Sequence, residues 1–230
     1  MIWTEQKEYL IDDEKTRKLI EKTGNFDDSD TPEEYLKIWE DVSKEVQLDK
    51  ARRHGLSNKK RIECFSKLCK RPYYLTSVAK KFGVKNIVEV GTAEGLQFFS
   101  FAEYSSKNGG HVWSCDIKDV RNKEYTLKYK DVTTFCLGDS KSLSQQLSEK
   151  IDLFYIDGAH DYGSVVRDVV NLREHQSENP IWIFDDFDKR FGCYKDIQRL
   201  CMKTKKFKIY RVGNAASGNP NHQVIIFGKI

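Results

Sequence analysis

The sequence predicts an α/β fold: a seven-stranded, mostly parallel sheet with an antiparallel last strand, helices on both faces and an N-terminal helical extension. Three observations predict it. From Lys85 onward, short apolar runs alternate with stretches of helical periodicity, as crossover connections require. Several runs stop on turn signals, among them Gly91 and Asp157-Gly158. The last two runs are separated by residues 213–221 alone, too short for a helical crossover, so they should be antiparallel neighbours.

The 230 residues fit one domain with appendages and suffice for a sizeable core. Residues 1–84 are expected to form a helical cap or extension, and residues 85–230 the α/β domain. Hydrophobic residues at 39% and aromatics at 12% argue against disorder. No apolar run is long enough to span a bilayer. The start, Met-Ile-Trp-Thr-Glu-Gln-Lys-Glu, lacks a secretory pattern, so a cytoplasmic location is expected. Cys64, Cys69, Cys115, Cys136, Cys193 and Cys201 show no CxxC spacing. They read as free thiols in a reducing compartment, not as disulfides or zinc ligands.

The net charge of +4 hides an asymmetry. Residues 1–49 hold 15 acidic and 7 basic side chains, whereas residues 50–85 hold Glu63 against 12 Lys and Arg. The blocks could pair with each other, or the basic one could meet an anionic partner.

In chain order, a helix is expected over about residues 4–22, followed by an Asp-rich loop at Asp27, Asp28 and Asp30. Thr31-Pro32-Glu33-Glu34 is a helix start, with Thr31 as N-cap, proline in the first turn and glutamate at the capping-box position. Tyr35, Trp39, Val42 and Val46 then trace one apolar face. Two further helices are expected at 57–70 and 72–82, the second ended by Gly83. Strands are expected at 86–90, 111–115, 132–137, 151–156, 181–184, 207–212 and 222–229, and helices at 95–106, 141–149, 162–174 and 192–204.

The chemistry-bearing residues fall at strand ends, where open α/β sheets bind ligands. Glu89-Val90-Gly91-Thr92-Ala93-Glu94-Gly95 lies where the first strand hands over to a helix. Its glycines let the backbone approach a ligand, and Glu89 suits a cationic amine. The spacing is not the G-x-G-x-x-G of dinucleotide folds, and without Lys-Ser or Lys-Thr after Gly95 it is no P-loop. Asp116 ends the second strand, where a carboxylate can accept both ribose hydroxyls. Asp139 ends the third; its simpler reading is a helix N-cap, a role Ser140 could also fill. Ile-Asp-Gly-Ala-His-Asp-Tyr follows the fourth, and Asp185-Asp186 the fifth. Taken singly, these read as a turn, a helix-start histidine and a solvated loop.

From about Lys85 to Ile230, nearly two-thirds of the sequence, this pattern resembles the class I S-adenosylmethionine-dependent methyltransferases, which have a Rossmann-like sheet. More narrowly, Ile-Asp-Gly-Ala-His-Asp-Tyr with Ile-Phe-Asp-Asp-Phe resembles the metal-dependent small-molecule O-methyltransferases. It is most similar to the macrocin O-methyltransferase-like branch, methyltransferase family 24, and more distantly to the catechol and caffeoyl-CoA enzymes. The resemblance implies Asp157, Asp185 and Asp186 as metal ligands, with Asp161 in the same motif. It implies His160 as the basic group beside the substrate hydroxyl. Glu89, Gly91, Thr92, Gly95, Asp116, Asp139, Ser140 and Asp157 would hold the cofactor. Gln97 departs from the pattern, standing where many relatives carry a small hydroxyl residue.

The chemistry agrees with that resemblance. Three carboxylates are hard oxygen ligands suited to Mg²⁺ or another divalent cation, and without one they would repel each other. A metal lowers the pKa of an acceptor hydroxyl, and a histidine with an ordinary pKa of about 6.5 can take its proton at neutral pH. The expected partner is a small hydroxylated acceptor: a sugar, polyketide-like or phenolic compound. No membrane partner is expected, and homo-oligomerisation is compatible with this reading. Trp39, Tyr73 and Tyr74 are candidate wall residues, with burial in the core as the simpler role. His54, His111, His175 and His222 have no constellation around them. Two competing readings are a nucleic-acid methyltransferase using the basic 50–85 segment and a cofactor-binding module without turnover. The first lacks an interleaved aromatic platform in the most basic part of that segment and any Asn/Asp-Pro-Pro-Tyr-type base-flipping motif. The intact Asp157, His160, Asp185 and Asp186 set argues against the second.

Overall fold

The computed structural model describes residues 31–46, 49, 71–187, 189–203, 208–212 and 223–230. The expected helices at 4–22 and 57–70, the loop at 213–221, most of the basic segment, and His54, His222, Cys64 and Cys69 lie outside them.

Seven strands form one sheet. They are β1 (Asn86–Val90), β2 (His111–Asp116), β3 (Thr133–Leu137), β4 (Ile151–Ile156), β5 (Gln176–Phe184), β6 (Lys208–Val212) and β7 (Gln223–Phe227). The order is β3-β2-β1-β4-β5-β7-β6. β1 to β5 run parallel, and β7 is antiparallel to both β5 and β6. The order reverses direction beside β1 and β4, which pair with each other, and this switch point is where such sheets bind ligands.

The pleat sends alternate residues to opposite faces. Val88, Phe154, Ile156, Trp182 and Phe184 join one core cluster, with Phe154 stacked on Trp182 at 4.0 Å between ring centres. Helices α5 (Ser140–Ser144), α6 (Ser164–Leu172) and α7 (Cys193–Lys203) cover this face through Leu143, Val165, Val169 and Ile197. Ile87, Leu153, Tyr155 and Ile183 join the other cluster. That face is covered by α1 (Glu33–Val42), α2 (Arg71–Lys81), α3 (Leu96–Asn108) and α4 (Lys123–Lys128).

β1 and β4 have the expected bounds, because both are apolar runs buried on two faces and closed by a turn. β5 begins five residues earlier than expected. Its polar start forms a bulge against β4, where pairing jumps from Ile151↔Gln176 to Leu153↔Ile181. Gln176 there accepts from Trp182 Nε1 at 3.0 Å and Ile230 N at 2.8 Å. α4 has no expected counterpart. It has six residues, capped by Asn122, and buries Tyr125 alone, so periodicity could not reveal it. α5 stops at Ser144, not at residue 149.

The helix start at Thr31 also needs correction. α1 begins at Glu33 after an extended Pro32 and has no side-chain cap. Glu34 does not close a capping box, because its carboxylate bonds Lys107 of α3 at 2.6 Å. That bond and Tyr125 Oη donating to Asp41 at 2.7 Å fasten α1 to the domain. Tyr35, Ile38, Trp39 and Val42 are buried. Cys115, Cys136, Cys193 and Cys201 are buried thiols.

Candidate active site

The tips of β1, β2, β3 and β4 surround a cavity of about 770 Å³. β1 contributes Glu89, Gly91 and Thr92 to its wall, and β2 contributes Asp116. The β3 tip adds Asp139 and Ser140, and the β4 loop adds Asp157 and His160. Gly95 does not line it. It precedes α3 at φ +97°, where it turns the loop into the helix. Trp39 and Ser43 of α1 and Pro72 of α2 close one side.

Gly91 shows how tightly the two central tips meet. Its φ is +94°, and a β-carbon built on it would lie 2.1 Å from the Asp157 carbonyl oxygen. The glycine loop and the Asp157 turn are therefore in backbone contact, held by Asp157 N donating to Val90 O at 2.9 Å. Glu89 is buried and accepts from Ser114 Oγ at 2.7 Å; Ser114 in turn meets Thr92 Oγ1 at 2.6 Å. Asp116 accepts from Ala93 N at 2.9 Å and Lys118 N at 3.1 Å. Those bonds fix its carboxylate at the cavity and leave lone pairs for a ligand.

Asp139 is the N-cap of α5, accepting from Ser142 N at 2.9 Å and Ser142 Oγ at 3.0 Å. The backbone donor holds its carboxyl below the usual range. Ser140 is not the cap. It is buried, donating to Asp168 at 2.6 Å.

Asp157, Asp185, Asp186 and His160 come close together, and of these Asp157 and His160 line the cavity. Tyr155 Oη lies 2.8 Å from Asp157 Oδ2 and 3.0 Å from Asp185 Oδ2. The two carboxylates thus converge on a single phenolic hydroxyl. Asp186 has φ +53°, a left-handed turn that aspartate tolerates. It faces His160, whose Nε2 lies 2.7 Å from Asp186 Oδ2. Asp157, His160 and Asp186 bring ligand atoms within 4.8 Å of one another. Asp185 is not in that closest group; it joins through Tyr155. Both Asp185 and Asp186 are buried, and neither lines the cavity. The Asp186 hydrogen bond raises the His160 imidazole above its ordinary pKa, against a smaller opposing effect of burial. The loop carrying His160 is pinned by Asp196, which accepts from Gly163 N at 2.6 Å. Asp161 is exposed, and its carbonyl receives Ser164.

Trp39 is buried and also lines the cavity. Tyr73 instead packs on Tyr35, with ring centres 5.1 Å apart, and the Tyr74 side chain lies outside the described residues. Gln97 lines the cavity, and its Nε2 reaches Pro72 O at 3.5 Å. His111 and His175 bond Thr134 and Ser144 away from the site. Two participants escaped sequence reasoning: Tyr155, which looks like any core residue of a strand, and Asp168, which lies within a helix.

A sheet of this order with acids at four parallel strand tips defines the Rossmann-like fold of class I methyltransferases. Residues 88–187 match a family model described as a methyltransferase domain. No curated protein matches. Among solved structures, the chain is similar to the S-adenosylhomocysteine-bound methyltransferase PaMTH1 of Podospora anserina. Identity is 14% and the TM-score 0.60, covering 96% of this chain and 98% of that one. It is also similar to the O-methyltransferase TomG of Streptomyces achromogenes, which acts in tomaymycin synthesis and was solved with S-adenosylmethionine. There the identity is 9% and the TM-score 0.59, covering 86% and 91%. A Bacillus cereus O-methyltransferase with S-adenosylhomocysteine gives 14% identity and a TM-score of 0.56, covering 86% and 92%. At these identities the likeness is one of fold. Among the described residues no helix is long and apolar enough to cross a membrane.

Proposed function

We propose that the chain transfers the methyl group of S-adenosylmethionine to a hydroxyl of a small molecule, assisted by a divalent cation such as Mg²⁺. The observation that supports this best is the meeting of Asp157, Asp185, Asp186 and His160 beside the Gly91 loop. The donor set, hard carboxylate oxygens crowded on one hydroxyl, fits such a cation. Asp157, Asp185 and Asp186 would hold it. A cation bound there supplies Lewis acidity that lowers the pKa of the acceptor hydroxyl.

The protein's own groups do the rest. Glu89 and the Gly91–Gly95 loop receive the amino-acid end of the methyl donor, and Asp116 its ribose. With its Nε2–H donated to Asp186, His160 presents Nδ1 as the lone pair that takes the hydroxyl proton. Asp186 then stabilises the imidazolium. The cavity orients donor and acceptor in line and excludes water. Trp39, Ser43 and Pro72, from the described part of residues 1–84, cap the cavity.

Two results follow. S-Adenosylmethionine at about 100 times its Kd should stabilise the chain by about 2.7 kcal/mol, raising Tm by about 5 °C or more. NAD should leave Tm unchanged, and the reverse pattern in a thermal-shift assay would end the methyl-donor reading. Tyr155→Phe should weaken divalent-cation affinity about tenfold or more, because the Asp157 and Asp185 carboxylates lose their shared donor. Calorimetric Mn²⁺ affinity equal to wild type would remove Tyr155 from the site.

A further inference from the structure

Asp168 is an acid that the methyl-transfer chemistry above leaves without a task. It sits on α6, lines the cavity and is half-buried beside Ser140. Asn171 Nδ2 donates to Ser140 Oγ at 2.9 Å, and Ser140 Oγ donates to Asp168 Oδ1 at 2.6 Å. The relay runs one way, from amide to hydroxyl to carboxylate, and ends in an acceptor. Among the described residues nothing donates to Asp168 Oδ2. That oxygen lies 3.8 Å from where a Gly158 β-carbon would stand. Burial pushes the carboxyl above its usual range, a cost that a ligand donor would offset. Ile117 also lines the cavity, 76% exposed despite being apolar, which suits the face of a planar ring; the carbonyl of Asp116 before it accepts from Gly138 N at 2.9 Å, two residues from Ser140.

Asp116, the ribose acceptor in the proposed function, lies next to Ile117 in the chain, so the base attached to that ribose falls in this pocket. The neighbouring acid, Asp139, already caps α5. We propose that Asp168 Oδ2 accepts a hydrogen bond from the exocyclic amine of the methyl donor's adenine, making Asp168 the residue that selects an amino-purine. The inference rests on the methyl-donor reading.

The test compares S-adenosylhomocysteine with S-inosylhomocysteine, in which a carbonyl replaces the amine, by titration calorimetry on the full chain. Wild type should bind the adenosyl compound about tenfold or more tightly than the inosyl one. Asp168→Asn keeps an acceptor toward Ser140 and turns an amide donor toward the base. It should lose that preference or invert it, while circular dichroism stays unchanged. A residue that merely supports the fold would weaken both ligands equally. Equal wild-type affinity for the two compounds overturns the proposal. So does an undiminished preference in Asp168→Asn, or loss of the preference in Asp139→Asn instead. The wild-type comparison and the Asp139→Asn arm stand even if Asp168→Asn fails to fold. Binding of neither compound overturns the methyl-donor reading and the proposal with it, whereas binding without discrimination overturns the proposal alone.

Discussion

His160→Ala is expected to lower methyl-transfer turnover about 10²- to 10⁴-fold while leaving S-adenosylhomocysteine affinity unchanged. The ring is held from two sides. Asp186 Oδ2 meets Nε2 at 2.7 Å, and Phe191 packs on the ring with centres 4.8 Å apart. His160 N–C–O geometry is fixed as well, since its carbonyl accepts from Cys193 N at 3.0 Å. In the proposed function, a side chain fixed this way makes one directed proton transfer. The hydrogen bonds of the glycine loop and Asp116 do not involve His160 and are kept when the imidazole is removed. Single-turnover rates and calorimetry separate the two effects. Unchanged turnover would show that the proton leaves by another route.

Gly91→Ala is expected to destabilise the chain by about 3 kcal/mol and to cost methyl-donor affinity at the same time. The added carbon would meet Asp157 O at 2.1 Å, Asp157 C at 2.6 Å and Gly158 Cα at 2.9 Å. All three are backbone atoms, so no side chain can rotate away. The φ of +94° adds strain of its own. Relief requires the β1 and β4 tips to part, and that moves Asp157 off Tyr155 and Asp185. Gly95→Ala is a useful contrast: its new carbon meets the Phe99 ring at 2.4 Å, a side chain and not backbone. The urea midpoint should fall further for Gly91→Ala. A wild-type midpoint there would contradict the close contact between the two tips.

The sequence made the parallel strands legible where both faces are buried, because such strands read as unbroken apolar runs ended by glycine or aspartate. Asn86–Val90 and Ile151–Ile156 are the clearest cases. The antiparallel β6 and β7 followed from the shortness of their connection. Elements that pack through a single side chain were illegible, as with α4 and Tyr125. So was the start of β5, whose polar residues pair through a bulge. The thirty-fourth residue looked like half of a capping box, but a lysine 73 positions away claimed it. In the site, acids at strand tips stood out because topology alone brings strand tips together. Tyr155 and Asp168 did not. Their significance depends on which way a hydroxyl or carboxylate points from within a regular element, and no local pattern records that.

The central claim is that Asp157, Asp185 and Asp186 hold a divalent cation beside the methyl donor. Titration of Mn²⁺ into the full chain with S-adenosylhomocysteine present, following the paramagnetic resonance of the free ion, tests it most directly. The account predicts a single saturable site that disappears in Asp157→Ala and in Asp186→Ala while circular dichroism is unchanged. A free-ion signal unaffected by the wild-type protein, or binding that survives in both variants, would contradict it.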